Sequence, residues 1–177
     1  MSQSTPRLWD ISAPVHAASP VYPGDTPYEQ RWTATLDTDS AVNVSSITLS
    51  PHIGTHADAP LHYGNQGAAI GAVPLEPFMG PCRVIHAMGC GPLIDRRHIA
   101  HAISADLPPR VLLRTYGRAP VDRWDAQLTA CAPATLERLA DLGVQRVGID
   151  TPSVDPADSR DLPSHQVLRR RGLRVLE

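Results

Sequence analysis

The stretch that decides the fold is PATLERLADLGVQRVGID, residues 133–150. Pro133 suits the first turn of a helix, and Gly143 is a residue type that commonly follows the last turn. The apolar residues between them recur at helical spacing: Leu136, Leu139, Ala140 and Leu142. The apolar run that follows reads as a strand. The pattern therefore predicts a helix over 133–142 that leads directly into a strand ending at Asp150.

Shorter segments on either side extend this pattern. VNVSSITL (42–49) is rich in β-branched residues, and CRVIHA (82–87) and RVLLRT (110–115) are apolar runs bounded by turn residues, so all three are predicted strands. A second helix is predicted over 165–171, with Ser164 as its N-cap and Gly172 as its stop, before a strand in LRVLE. Strands followed by helix–strand alternation indicate a mixed α/β or α+β domain.

The composition excludes several classes of function. A formal net charge of -2 and a pI near 6.4 argue against a nucleic-acid or anionic-membrane partner. All 16 basic residues are arginine, so a Schiff-base lysine and the lysine of a Walker phosphate loop are both excluded. The sequence also lacks the Gly-x-Ser-x-Gly pattern of an α/β-type serine hydrolase.

The cysteines and the hydropathy indicate a cytoplasmic protein. The three cysteines include no Cys-x-x-Cys pair and are interpreted as reduced core residues. No apolar stretch reaches membrane-spanning length, and the polar start MSQSTPRLWD does not resemble a signal peptide.

Four groups with affinity for metals or protons fall within the run His52-Ile-Gly-Thr-His56-Ala-Asp58-Ala-Pro-Leu-His62. Two geometries fit their spacing: helical pairs one turn apart, or an extended chain in which all four face the same way. Prolines at 51 and 60 and a glycine at 54 disfavour a continuous helix, so an extended or looped segment is preferred.

This set of donors predicts a catalytic metal site. Imidazole nitrogens and a carboxylate, without thiolate, suit zinc or another divalent transition metal. Because a carboxylate has two oxygens, Asp58 could bridge two metal ions, a recurring hydrolytic device. The alternative is a group of hydrogen-bonded loop histidines with no metal.

Other candidates carry weaker signals. His165 follows an acidic loop whose aspartates are interpreted as loop caps rather than ligands: Asp150, Asp155, Asp158 and Asp161. Aromatic residues near the turns and the motif could line a pocket, although ordinary packing is the better interpretation for each one taken singly: Trp9, Tyr22, Trp32 and Tyr63. The spacing gives Glu177 no special role.

Several motifs together resemble a known family. SPHIGTHADAPLH, the opening WDIS, PVYPGDTPYEQ, VPLEPFMGPCRVI and GIDTPSVDPADS are similar to segments of the bacterial kynurenine formamidases, metal-dependent arylformamidases of the cyclase-like family. The resemblance covers essentially the whole chain. The histidine motif alone specifies only the wider family, which includes isatin hydrolases, whereas the combination of motifs points to the formamidases.

The resemblance implies a fold and a set of site residues. The fold would be of the swivelling β/α/β type, with a central mixed sheet or barrel-like core and flanking helices, in one domain over 1–177. His52, His56 and Asp58 would bind one zinc ion. Asp58, His165 and Glu177 would bind a second zinc ion, bridged to the first by Asp58.

The same resemblance implies the activity. The expected reaction is hydrolysis of the formamide of N-formyl-L-kynurenine to L-kynurenine and formate in tryptophan degradation, by a cytoplasmic homodimer, with His62 as proton donor and acceptor. Tyr22 stands where the family usually has a substrate-contacting tryptophan. Family members also continue for several strands beyond Glu177. The alternatives are an isatin or other cyclic-amide hydrolase of the same family, and an inactive metal-binding homologue.

Overall fold

The structure is a computed structural model that describes residues 7–177. Residues 1–6, which belong to the polar stretch MSQSTPRLWD of the sequence analysis, lie outside that range. The strands along the chain are β1 (Glu29–Ala34), β2 (Val44–Thr48), β3 (Arg83–His86), β4 (Leu93–Ile94), β5 (Arg110–Arg114), β6 (Ala130–Cys131), β7 (Arg146–Ile149) and β8 (Arg174–Leu176). The α-helices are α1 (Arg96–Ile99), α2 (Pro133–Asp141) and α3 (Pro163–Arg171).

A four-stranded parallel sheet in the order β3-β5-β7-β8 forms the centre of the fold. Its strands are short and strongly apolar, as expected where helices and loops cover both faces of a parallel sheet. Val111, Val147 and Val175 stand in neighbouring register positions on three strands and are fully buried. The predicted α/β class and the predicted strands at 82–87 and 110–115 are confirmed, with β3 and β5 slightly shorter than predicted.

The helix–strand unit at 133–150 is also confirmed. Helix α2 begins at Pro133, buries Leu136 and Leu139 completely, and is followed by Gly143, whose φ of 83° is the left-handed conformation that glycine tolerates. Strand β7 follows, and all four of its residues are buried. Helix α3 packs beside α2 and contributes Val167 and Leu168 to the same core.

The predicted N-cap of the second helix is wrong. Helix α3 begins at Pro163, Leu162 occupies the N-cap with a left-handed φ of 45°, and no side chain of its own caps it. Asp155 instead accepts the backbone N–H groups of Ser164 and His165, at 2.9 and 3.0 Å. The Ser164 hydroxyl donates to the Cys131 carbonyl. A distant carboxylate thus satisfies the first turn, which local sequence patterns do not reveal.

Two small sheets supplement the central one. Strands β1 and β2 form an antiparallel hairpin, of which only β2 was predicted, and β4 pairs in parallel with β6. The side chains of Trp32 and Ile47 on the hairpin are more than half exposed. Within residues 7–177, no helix is both long and apolar enough to cross a membrane.

The histidine motif is attached to the central sheet through β8. Ala57 forms an antiparallel bridge with Leu176, and His56 and Glu177 exchange two backbone hydrogen bonds of 2.9 and 3.0 Å. The preferred extended or looped conformation of the motif is therefore confirmed, with extended pairing at Ala57 and turns or bends on either side. Beyond it the chain turns, and the Leu61 N–H donates to the Ala68 carbonyl at 3.1 Å. This turn positions His62.

Gly67 closes that turn, and we expect an added methyl group there to be poorly tolerated. A Cβ on Gly67 would overlap the Pro60 backbone, which carries no flexible side-chain end that could move aside. Gly67→Ala should lower the free energy of unfolding by about 1–3 kcal/mol, as overpacking commonly does. Denaturant unfolding measures this.

Gly71→Ala is the matched control, because a Cβ at Gly71 meets no atom within 4 Å. Its effect should stay within about 0.5 kcal/mol. Equal stability of the two variants would contradict the proposed close approach at Gly67.

Candidate metal centre

The first half of the centre comprises His52, His56 and Asp58. The His52 Nδ1 and His56 Nε2 atoms lie 3.0 and 3.3 Å from Asp58 Oδ1, and 3.1 Å from each other. A tetrahedral ion with zinc–ligand bonds of 2.0–2.1 Å separates its ligand atoms by about 3.3 Å. These three atoms therefore already have the mutual spacing that one ion requires.

The other oxygen of Asp58 faces a second set of imidazoles. His165 Nε2 lies 3.3 Å from Asp58 Oδ2, and His62 Nε2 lies 4.0 Å from the same oxygen. These three residues form a second group whose ligand atoms are close enough to share an ion. Asp58 thus lies between two candidate sites, with one oxygen directed at each.

Two of the histidines are held in a defined orientation by their second ring nitrogens. His165 Nδ1 lies 2.7 Å from Asp155 Oδ2, and His56 Nδ1 lies 3.0 Å from the Gly54 carbonyl. Because a carboxylate or carbonyl can only accept, each Nδ1 carries a proton, which leaves Nε2, on the side of Asp58, as the nitrogen available to a metal ion. Histidine ligands of metals typically have such partners.

Glu177 approaches the second site from β8. Its Oε1 atom accepts the Val154 N–H at 2.7 Å and lies 3.6 Å from His165 Nε2. Its side chain is 4% exposed, whereas that of His62 is 41% exposed. The structure therefore brings all six motif and ligand candidates together: His52, His56, Asp58, His62, His165 and Glu177.

The electrostatics of the cluster favour a bound cation. Burial alone would raise the pKa of Asp58, but contacts with His165, His52 and His56 lower it strongly, so the carboxylate is charged. Burial, followed by the charge of Asp58, raises the pKa of Glu177 to about 7. Two buried carboxylates that destabilise each other's charge are typical of a site that a positive ion completes.

The pKa values of two of the histidines shift in opposite directions. Burial would lower the pKa of His165, but its contacts with Asp155 and Asp58 outweigh burial and raise it to about 9. Burial lowers the pKa of His62 despite the attraction of Asp58. His62 therefore favours its neutral form and is accessible, which suits proton exchange with a substrate.

The surroundings of one buried atom indicate whether a metal ion fits this site. Asp58 Oδ1 is inaccessible and has no hydrogen-bond partner with suitable geometry among the described residues. An unpaired carboxylate oxygen in a protein interior is costly, and coordination to a cation would satisfy it. The nitrogen and oxygen donors and their spacing also fit a divalent transition metal.

Sequence patterns did not identify two supporting residues. Asp25 follows the Pro-Gly turn and accepts the hydroxyl of Ser50, which in turn accepts the His52 N–H at 3.1 Å. Asp155, interpreted as a loop cap, both caps α3 and orients His165. The aspartate-rich loop carried a signal for Asp155, but spacing could not distinguish it from its neighbours.

The aromatic candidates are distributed unevenly. Tyr63 is buried, with its ring centroid 5.3 Å from that of His165. Tyr22 lies against Trp124, at one side of a cavity. Trp9 and Trp32 are exposed and belong to neither group.

The chain matches a known protein family and several named relatives. Residues 9–156 match the family model "Putative cyclase". The chain is 70% identical to the kynurenine formamidase of Paracidovorax citrulli, over 98% of this chain and 82% of that protein. Other bacterial kynurenine formamidases match at 60% to 67% identity.

Solved structures share the fold. One described as a potential metal-dependent hydrolase with cyclase activity superposes with a TM-score of 0.77 at 28% identity, over 96% of this chain and 79% of that chain. An isatin hydrolase bound to the product analogue thioisatinate gives a TM-score of 0.77 at 17% identity, over 95% and 77% of the two chains. From the family model and its formamidase relatives, the chain belongs to the cyclase family and, within it, to the bacterial kynurenine formamidases.

Proposed function

We propose that this protein hydrolyses the formamide of N-formyl-L-kynurenine, releasing L-kynurenine and formate, with metal ions held around Asp58. The observation that carries the proposal is the position of Asp58, a buried carboxylate with imidazoles directed at both of its oxygens. The 70% identity to a kynurenine formamidase supports the choice of substrate.

Two zinc ions are the proposed cofactor. His52, His56 and Asp58 would hold one, and Asp58, His165 and Glu177 the other. Glu177 is preferred to His62 as the ligand because its side chain is almost fully buried, whereas the exposed His62 side chain can reach a substrate. When bound, such ions lower the pKa of water and polarise the formyl oxygen.

His62 is the proposed proton-transfer residue. Hydrolysis adds a water oxygen to the formyl carbon and breaks the bond to the aniline nitrogen, which must take up a proton to leave. With its pKa lowered by burial, His62 is neutral near pH 7 and can accept a proton from the attacking water. It can then deliver that proton to the departing nitrogen.

The proposal also includes the setting of the enzyme, which would be a cytoplasmic homodimer that acts in the kynurenine pathway of tryptophan catabolism. The three free cysteines suit a reducing compartment. The homodimer rests on the resemblance to the family. The alternatives are less well supported: the isatin hydrolase shares the fold at only 17% identity, and an inactive metal-binding homologue would not need His62.

The role of His62 can be tested by substitution. His62→Ala should lower kcat on N-formyl-L-kynurenine by about 10²–10⁴-fold, because general acid–base catalysis contributes on that scale. Metal content, measured by mass spectrometry, should not change. His86→Ala is the control, since it removes an exposed histidine at the end of β3 and should retain full activity. Loss of metal together with activity would instead make His62 a ligand.

The two-metal arrangement predicts a graded loss of zinc. Wild-type protein should bind about two zinc ions per chain, with a shared carboxylate between them. Asp58→Asn should weaken both sites, because both share that residue, whereas Glu177→Gln should weaken only one. Zinc titration monitored by calorimetry separates these cases. Equal loss in both variants would contradict the assignment of Asp58 as the bridge.

The orientation of His165 by Asp155 can be tested without removing any proposed ligand. Asp155→Asn should weaken zinc binding about 10–100-fold, as loss of such hydrogen-bond partners typically does. Asp161→Asn, an exposed change in the same loop, should leave the affinity unchanged. Circular dichroism checks that α3, which Asp155 also caps, remains folded. Unchanged zinc affinity in a folded Asp155→Asn protein would exclude the orienting role.

A further inference from the structure

A cavity of about 700 Å³ is lined by none of the proposed metal ligands and is not used by the chemistry described above. Tyr22 and Trp124 stand in its wall, and the turn at 156–158 contributes Pro156, Ala157 and Asp158. Its lining is mostly apolar, and its volume falls within the range of small-molecule sites. A substrate with an aromatic ring would fit such a space.

Tyr22 and Trp124 together form an aromatic corner in the wall of the cavity. The rings of Tyr22 and Trp124 have centroids 5.4 Å apart and planes at 81°, the edge-to-face arrangement that aromatic pairs prefer. The Tyr22 hydroxyl donates to the Ala157 carbonyl at 3.0 Å. Tyr22 therefore joins two walls of the cavity, while Trp124 provides a second aromatic surface.

Each of these two walls is linked to a residue that positions a proposed metal ligand. The Tyr22 carbonyl accepts the Asp25 N–H, and Asp25 is linked through Ser50 to His52. On the other side, Ala157 follows two residues after Asp155, which orients His165. The cavity is thus bounded by the same two segments that position ligands of both proposed sites.

The lining of the cavity carries negative charge and no positive charge. Among the residues that line it, Asp158 is the only one with a charged side chain, and no arginine or histidine is present. Within residues 7–177 the Asp158 carboxylate has no hydrogen bond or ion pair, and the residue is exposed. An unpaired carboxylate at the edge of an aromatic pocket is suited to a ligand that carries a cation.

We propose that Trp124 and Asp158 determine substrate specificity in this cavity, an inference that rests on the proposed function. Trp124, together with Tyr22, would contact the aryl ring, and Asp158 would pair with the α-ammonium group of the amino-acid side arm. The pocket would then select aryl formamides that carry an ammonium group. Uncharged aryl amides and isatin lack that group and would gain nothing from Asp158.

Two substrates separate the two roles. N-formyl-L-kynurenine carries the ring and the ammonium group, whereas formanilide carries the ring alone. Asp158→Asn should raise KM for the first about twofold to fivefold, the range of exposed charge pairs, and leave the second unchanged. Trp124→Leu should raise KM for both substrates at least about tenfold. kcat should change little, since neither residue touches the reacting atoms.

Asp161→Asn is the matched control for charge, because it removes a carboxylate from the same loop outside the cavity. It should leave KM unchanged for both substrates. Equal KM changes in the variants at 158 and 161, or an equal effect of Asp158→Asn on formanilide, would overturn the role of Asp158. Unchanged KM in Trp124→Leu would overturn the role of Trp124.

A binding measurement separates failure of this inference from failure of the proposed function. If zinc-loaded wild-type protein turns over neither substrate, the proposed function is wrong. The pocket is then judged by calorimetric affinity for L-kynurenine, which retains the ring and the ammonium group. Weaker binding by the Asp158→Asn and Trp124→Leu variants, but not by Asp161→Asn, would support the pocket, and equal binding by all of them would overturn it.

Discussion

The site depends on a short piece of backbone pairing between His56 and Glu177. Two hydrogen bonds and the adjacent bridge of Ala57 to Leu176 attach the histidine motif to β8, the outer strand of the central sheet. Because neighbouring residues of an extended segment point in opposite directions, this register places Asp58 inward and fixes Glu177 beside it. A shift by one residue would point Asp58 away from His165.

The buried charge of Asp58 then organises the surrounding groups. A carboxylate that is 1% exposed requires strong partners, and imidazoles supply them from both sides. Asp155 extends this arrangement outward, since one side chain both caps α3 and holds His165. The helix that delivers His165 is thereby aligned by the same interaction that selects its tautomer.

Local patterns were sufficient for much of the fold. Helix α2 and strand β7 follow from the spacing of apolar residues between Pro133 and Gly143, and β5 from an apolar run bounded by turns. The hairpin strand β1 was not predicted because its residues alternate weakly and are almost all exposed. The start of α3 was misplaced because its first turn is satisfied by Asp155, nine residues before Ser164, and not by a side chain at the N-cap position itself.

The residues of the candidate site also divide into those that local sequence patterns reveal and those that they do not. His52, His56, Asp58 and His62 could be found from spacing, because they lie on one short segment. His165 and Glu177 could not, since only tertiary structure brings them to Asp58, and the family resemblance was needed to select them. The role proposed for Trp124 had no sequence signal, because a single tryptophan in a loop more often contributes to packing than to recognition.

The wide separation of these partners along the chain has a consequence for how the enzyme matures. Asp58 and His165 are separated by 107 positions in the sequence, and contacts of that range form slowly because a long loop must close first. During synthesis the histidine motif emerges from the ribosome well before α3 and β8 exist. A complete metal centre around Asp58 can therefore be loaded only after most of the sheet has assembled, so full metal occupancy also reports that these segments have folded together.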